Sequence, residues 1–168
     1  MKNSKGLCSE PVFRQVFESQ FKLLRNFLIY KYRDAERAED TAQNAFVVLW
    51  ENCDAILPEQ ARSYLFTTAI RMSLNAIKHD KVRDDFKLIS RADVEAESPE
   101  FLAEHDELSI RLEHAINRLP EKQRVVFLMN RFESLSYNEI ATLLDISVKA
   151  VEKRMHNALI ELRKIARV

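Results

Sequence analysis

Hydrophobic residues recur every three or four positions along most of this chain, which is the periodicity of helices that bury one face. The first such stripe spans 13–28 and the second spans 38–53. Asp34 can cap the start of the second helix, and Pro58 suits the first turn of a third. The pattern therefore predicts three helices between residues 10 and 79.

A stretch without helical periodicity separates this half of the chain from the next. Residues 93–107 contain seven acids, no Lys or Arg, and Pro99. Such a composition is typical of a linker. Helical stripes resume at Leu108 and continue to the end of the chain. We therefore predict an all-α protein with a first domain at 8–80, an acidic linker at 81–106 and a second domain at 107–168.

The end of the second domain carries the signals of a short helix, a turn and a longer helix. Ser136 and Glu139 form the S-x-x-E pattern of a capping box, which marks a helix start. Ser147 is a good cap for the longer helix. Asp145 stands in the turn where Gly is common, and Asp tolerates the left-handed conformation better than most residues. The sequence predicts that this domain is a helix-turn-helix.

The outer face of the last helix is polar and partly basic. Such a face suits DNA recognition, because Lys and Arg reach guanine edges or phosphates and Asn can pair with adenine. The same residues would also suit an ordinary solvated helix, and this segment alone leaves both interpretations open. The candidate residues for duplex recognition are Lys149, Glu152, Lys153, Arg154, His156 and Asn157.

The charge balance argues against a protein that holds DNA unaided. Lys plus Arg number 26 and Asp plus Glu number 26, so the formal net charge is zero. A freestanding DNA-binding protein gains most of its affinity from several Lys and Arg contacts to phosphates. We therefore expect any DNA-binding role to need a partner.

Other features exclude several classes of protein. Cys8 and Cys53 form no CxxC or Cys/His cluster, so we expect free thiols, with neither a zinc site nor a disulfide framework. The four histidines are scattered, and no phosphate loop, nucleophile elbow or zinc-protease motif occurs. No catalytic residue, metal or cofactor is expected, and the protein is not expected to be an enzyme. The apolar runs are too short to span a membrane and no secretory signal is visible, which predicts a cytoplasmic protein.

Two further segments, AEDTAQNAFVVLW at 38–50 and SYLFTTAIRMSLNAIKH at 63–79, complete an ordered pattern with the helix-turn-helix. With L-P-x-x-x-R at 119–124 and S-x-x-x-V-x-x-R at 147–154, the chain resembles the extracytoplasmic-function group of the sigma-70 family. These proteins are small initiation subunits of bacterial RNA polymerase. Leu74-Asn75 and the scarcity of glycine resemble the ferric-citrate-type branch common in Bacteroidota.

The resemblance implies roles for individual positions. Asp40, Gln43 and Phe46 fall where the family grips the clamp helices of the polymerase beta-prime subunit, and the helix around Arg124 falls where the family meets the beta flap. The face of the last helix would bind the minus-thirty-five element of promoter DNA. An anti-sigma factor is also implied as a partner, and it could be a membrane protein with a cytoplasmic tail.

The third helix falls where the family opens and reads the minus-ten element as a single strand. Aromatic rings and amides suit that task, because an unpaired base exposes its face and its Watson–Crick edge. Helical spacing makes core packing an equal alternative for Tyr64 and Phe66. The residues to which this role is assigned are Tyr64, Phe66, Arg71, Asn75 and Lys78.

Two departures from the family pattern affect which promoter sequence would be recognised, and they leave the expected role as a sigma factor unchanged. Many members have an Arg-Asn pair where this chain has Ile70-Arg71, and Glu152 stands where a basic residue is common. The main alternative function is a stand-alone helix-turn-helix regulator with a helical sensing or dimerisation domain. That alternative leaves the polar face of AEDTAQNAF unexplained.

Overall fold

The computed structural model describes residues 6–84 and 107–164, with side chains except at 78–84 and 107–109. The described residues form seven α-helices and one short 3-10 helix, and they contain no strand. Most of the predicted linker, 85–106, lies outside the described residues. In chain order the helices are α1 (Glu10–Tyr32), α2 (Ala35–Glu51), the 3-10 helix (Pro58–Gln60), α3 (Ala61–Asp84), α4 (Glu107–Arg118), α5 (Glu121–Arg131), α6 (Tyr137–Leu144) and α7 (Val148–Arg163).

The helix starts follow the local signals of the sequence. The side chain of Asp34 accepts a hydrogen bond from the backbone N–H of Arg37 at 2.9 Å, which confirms the predicted cap of α2. Pro58 opens the 3-10 helix instead of the first turn of α3, and this short helix runs directly into α3. The Gln60 side chain accepts from the Leu57 N–H at 3.2 Å, which secures the entry to α3.

The described residues fall into two compact units, of which the first contains 6–29 and 34–84. Its core joins the buried stripes of α1, α2 and α3. Alanines on the inner face of α2 let α3 approach closely, and the rings of Phe27 and Phe66 meet at 5.0 Å between centroids. The fully buried side chains of these helices include Leu24, Phe27, Leu28, Ala42, Ala45, Leu49, Leu65, Phe66 and Ala69.

The second unit contains 30–33 and 107–164. Helix α7 packs against α4, α5 and α6. The inner face of α7 is the predicted stripe, in which Val151, Met155, Ala158 and Leu162 are buried. Because these residues repeat at three and four positions, the opposite face of α7 is left to solvent.

The all-α fold class with two helical domains is confirmed. The exact domain bounds stay a prediction, and α3 continues to Asp84, which is within the predicted linker range. Among the described helices, none is both long and apolar enough to cross a membrane.

Candidate DNA and polymerase interfaces

The helix-turn-helix is built as its sequence predicts. The Ser136 Oγ accepts from the Glu139 N–H at 3.3 Å, while a Glu139 carboxylate oxygen accepts from the Ser136 N–H at 2.9 Å, so the capping box is confirmed. Asp145 ends α6 with φ 52° and ψ 51°, the left-handed conformation. The N–H of Ile146 then donates to the Ala141 carbonyl at 3.0 Å, which closes the turn as in a Schellman motif. The Ser147 Oγ caps α7 by accepting from the Ala150 N–H at 3.1 Å.

This turn leaves one face of α7 exposed near its amino end. Lys149, Glu152, Lys153 and His156 are exposed, whereas Arg154 and Asn157 are half-buried at the edges of that face. The four exposed residues stand at positions i, i+3, i+4 and i+7, so they line one side of the helix. The structure therefore brings all six candidate residues onto or beside a single surface, called here the α7 face.

A cleft beside the α7 face adds residues that sequence reasoning missed. It is lined by the first residues of α5 together with part of α7. A helix amino terminus carries backbone N–H groups and a positive dipole end, which favour anions such as phosphate. The lining residues are Pro120, Glu121, Lys122, Gln123, Lys153, Arg154 and Asn157. The L-P pair that opens α5 was visible in the sequence, but its position next to α7 needs the fold.

Helix α2 separates its polar and aromatic candidates onto different faces. Asp40 and Gln43 are exposed, and with Asn44 and Val47 they form a stripe called here the α2 face. Val47 is 53% exposed, and this apolar end of the stripe was not singled out from the sequence.

Phe46 lies on the neighbouring, buried side of α2. It is only 4% exposed, and its ring packs against those of Phe13, Phe17 and Phe21 at centroid distances of 4.9 to 6.1 Å. In this position, Phe46 packs α2 against the aromatic residues of α1. A direct contact with polymerase would need its ring to leave this cluster, so that role stays a prediction.

The candidates on α3 are divided in the same way. Arg71 and Asn75 are exposed and Tyr64 is half-buried, while the side chain of Lys78 lies outside the described ones. Phe66 is 0% exposed, so its ring is not accessible to a base as placed. Core packing, one of the two roles considered for Phe66, accounts for its position. Leu74 is 48% exposed next to Asn75, and it was not among the residues to which the sequence assigned a DNA contact.

Comparisons with known proteins cover both units. The family model described as "Sigma-70 region 2" matches residues 16–82, and the one described as "Sigma-70, region 4" matches residues 109–162. The ECF RNA polymerase sigma factor RpoE of Cereibacter sphaeroides is 26% identical over 157 residues, covering 92% of this chain and 86% of that protein. The ferric citrate uptake sigma factor FecI of Escherichia coli is 27% identical over 150 residues, covering 87% and 86%.

A solved structure shows a similar fold. The sigma factor RpoE of Bartonella quintana, crystallised with the anti-sigma factor NepR, has a TM-score of 0.68 and 18% identity, covering 93% of this chain and 97% of that one. Both matched regions belong to the sigma-70 family, and region 2 precedes region 4 along the chain, as the resemblance predicted. The chain belongs to the extracytoplasmic-function group of the sigma-70 family. The predicted function, an RNA polymerase sigma factor, is thereby confirmed, while the Bacteroidota-like branch stays a prediction.

In this sigma factor, Arg124 is buried rather than displayed. It is 6% exposed, and its Nη1 donates to the Leu119 carbonyl oxygen at 2.9 Å, which braces the turn between α4 and α5. Burial lowers the pKa of the Arg124 guanidinium to about 10, so the group is still charged at neutral pH. Its role at the polymerase flap stays a prediction, and the contact that the structure shows holds the start of α5, which lines the cleft, in place.

The cysteines of the sigma factor correct one sequence-based expectation. Cys8 and Cys53 were expected to be free thiols, but the structure joins them in a disulfide. The pairing could not be found from spacing, because the two residues stand 45 positions apart and meet only when the first unit folds. Asp54 lies beside them, with its Oδ1 3.1 Å from the Cys8 sulfur.

Proposed function

We propose that this sigma factor recruits core RNA polymerase through the α2 face, recognises the minus-thirty-five element with the α7 face, and contacts the opened minus-ten strand with α3. Its activity is promoter-specific initiation, and it carries out no catalytic reaction of its own. The observation that supports this most strongly is the capped helix-turn-helix that exposes Lys149, Lys153 and His156 on one side of α7.

Duplex recognition by the α7 face combines base and phosphate contacts. Lys149 and Lys153 can reach guanine edges or the backbone, and Glu152 can accept from a cytosine amino group. The half-buried Arg154 and Asn157 also line the cleft at the start of α5. A phosphate seated in that cleft would fix the register of α7 along the major groove, because phosphate contacts position a protein and base contacts specify the sequence.

Recognition of the minus-ten strand relies on the exposed residues of α3. Arg71 and Asn75 are four positions apart, so they project from the same side of the helix. Leu74 offers an apolar surface next to them. An unpaired base can stack on such a surface and form hydrogen bonds to Asn75 along its Watson–Crick edge.

The zero net charge agrees with a complex in which sigma factor and polymerase contribute different contacts to DNA. If polymerase supplies most of the phosphate contacts, this chain needs only small recognition surfaces and would bind promoters weakly alone.

Its site of action would be the cytoplasm, where polymerase and DNA are found. NepR, bound to the structural relative, supports an anti-sigma factor as a further partner of this chain. That the partner is a membrane protein with a cytoplasmic tail is a proposal from the family resemblance.

The test is to mix the purified protein with bacterial core polymerase and sequence the transcripts that start on fragmented DNA from its host. Discrete starts that share two upstream elements are expected. Promoter binding by the protein alone, with no binding to polymerase and no new starts, would instead favour a stand-alone regulator.

The α2 face gives a matched pair of variants for the polymerase contact. Replacing both Asp40 and Gln43 by Ala should weaken core binding by tenfold or more, since each exposed side chain would lose a polar contact of about 1 kcal/mol. Glu18→Ala is the control, because Glu18 is an exposed acid of the same unit that lies on α1 and not on the α2 face. Equal affinities for all three proteins in a fluorescence titration would place the polymerase contact elsewhere.

A further inference from the structure

The disulfide between Cys8 and Cys53 joins two elements that the fold also holds together by packing. Cys8 lies in the turn before α1, and Cys53 follows the last turn of α2. Their Cα atoms are 5.1 Å apart, within the range that a disulfide requires. Both cysteines are buried, at 7% and 3% exposure. The bond therefore fixes the amino-terminal turn against the end of the helix that carries the α2 face.

Neighbouring side chains make the same connection without a covalent bond. Leu7, next to Cys8, is 0% exposed, and the ring of Phe13 packs edge-on against Trp50 at 4.8 Å. This packing does not require the disulfide, so it would keep the start of α1 near the end of α2 when the bond is open. The two thiols of the reduced protein would therefore stay close enough to react with each other.

We propose that Cys8 and Cys53 are a reversible thiol–disulfide site, which stabilises the first unit when it is oxidised and loosens its amino-terminal turn when it is reduced. The regulatory meaning rests on the proposed function. A polymerase subunit works in a compartment where thiols are kept reduced, and disulfides formed there are typically transient and redox-sensing. Formation of the bond itself does not depend on that function.

Closure needs an oxidant, for which a small-molecule disulfide such as oxidised glutathione is sufficient. One protein sulfur attacks the small disulfide and releases one glutathione thiolate, leaving a mixed disulfide. The second protein sulfur then attacks the first, forms the Cys8–Cys53 bond and releases the second thiolate. Two electrons pass to the oxidant, and the protons of the two protein thiols end on two glutathione molecules.

Asp54 is placed to assist the step at Cys8. Its Oδ1 lies 3.1 Å from the Cys8 sulfur, which carries no hydrogen in the disulfide but would donate to this oxygen as a thiol. The carboxylate can accept the thiol proton as the sulfur becomes a nucleophile. Asp54 is exposed, so it can pass the proton on to water.

The experiment starts with reduced full-length protein, which is then incubated with oxidised glutathione. Alkylation and mass spectrometry should show that two free thiols disappear together and that no glutathione stays attached. The fluorescence of Trp50, the single tryptophan of the chain, should report an unfolding midpoint about 10 °C or more above that of the reduced protein. Replacing both cysteines by Ser should abolish the difference between oxidising and reducing conditions.

Asp54→Asn separates assistance by the carboxylate from simple proximity. We expect closure to slow several-fold while the final extent of oxidation is unchanged. The same rate as wild type would remove Asp54 from the proposal.

Three outcomes would overturn the redox site itself. One is a lasting mixed disulfide, and another is an oxidised protein with an unchanged Trp50 midpoint. The third is tight one-to-one binding of Zn²⁺ by the reduced protein that protects both thiols, which would make the cluster of Cys8, Cys53 and Asp54 a metal site. Binding of the Ser double variant to core polymerase separates the redox site from the proposed function. If wild type and variant both fail to bind polymerase under oxidising and reducing conditions, the result counts against the proposed function and not against the disulfide.

Discussion

Phe66 offers a sharp test of whether an aromatic residue of α3 packs in the core or stacks on a promoter base. The ring is 0% exposed and lies 5.0 Å from that of Phe27. Truncating such a ring to Ala typically costs about 3 to 5 kcal/mol, of which the ring pair contributes about 1. For a unit of this size, each kcal/mol lowers the unfolding midpoint by about 4 to 8 °C. Phe66→Ala should therefore lower the midpoint of the first unit by roughly 15 °C or more.

The measurement can be confined to the first unit, because Trp50 is the single tryptophan and belongs to that unit. Phe66→Leu keeps most of the buried volume and should cost only about 1 to 2 kcal/mol. Thr67→Ala changes an exposed neighbour and serves as the matched control.

The decisive comparison pairs the Trp50 midpoint with binding of a single-stranded minus-ten oligonucleotide by the sigma–polymerase complex. If Phe66 is a packing residue, the Leu variant should bind the oligonucleotide as well as wild type at a temperature where both are folded. Loss of a stacked base would instead cost about 1 to 3 kcal/mol in binding. An Ala variant with an unchanged midpoint and weakened strand binding would refute the packing argument.

Two further predictions concern the second unit. Lys153→Ala should weaken binding of the polymerase complex to duplex minus-thirty-five DNA. Titration at several salt concentrations should also show that the slope of log binding constant against log salt concentration becomes shallower by about one, because one phosphate contact is lost. Lys164→Ala, at the far end of α7 beside Glu161, should change neither, and equal losses in both variants would contradict a specific role for Lys153. Asp145→Ala should destabilise the second unit by about 1 kcal/mol because φ is 52°, whereas Asp145→Gly should be neutral or stabilising in urea unfolding monitored by circular dichroism. Indistinguishable Ala and Gly variants would show that the left-handed turn is not strained.

The helix ends were predictable because their causes are local. Asp34, Ser136 and Ser147 each cap a helix by accepting from a backbone N–H three residues ahead, and this spacing is visible in the sequence. The exposed face of α7 was predictable for a related reason, since the buried stripe leaves only one side for polar residues. Asp145 was also correctly expected to take the unusual conformation of the turn.

Features that depend on packing between distant segments were harder to predict from the sequence. A periodic pattern shows that Phe46 and Phe66 are candidates for burial, but it does not show which neighbouring helix covers them. The same holds for Arg124, whose family position implied a polymerase contact and whose guanidinium braces the turn between α4 and α5. Cys8 and Cys53 show the largest gap between sequence and structure, because a separation of 45 residues gives no local indication of their contact.

The division of α2 into an exposed polar face and a buried aromatic face determines how its variants must be interpreted. Removing Phe46 would disturb the rings of Phe13, Phe17 and Phe21, so core binding would fall through lost support even if Phe46 never touched polymerase. Asp40 and Gln43 are exposed, and their truncation should leave that support intact. A loss of binding therefore identifies a contact residue only when the Trp50 midpoint is unchanged. By that criterion the α2 face can be tested directly, whereas Phe46 needs a substitution that preserves its packing, such as Leu, before any polymerase contact is assigned to it.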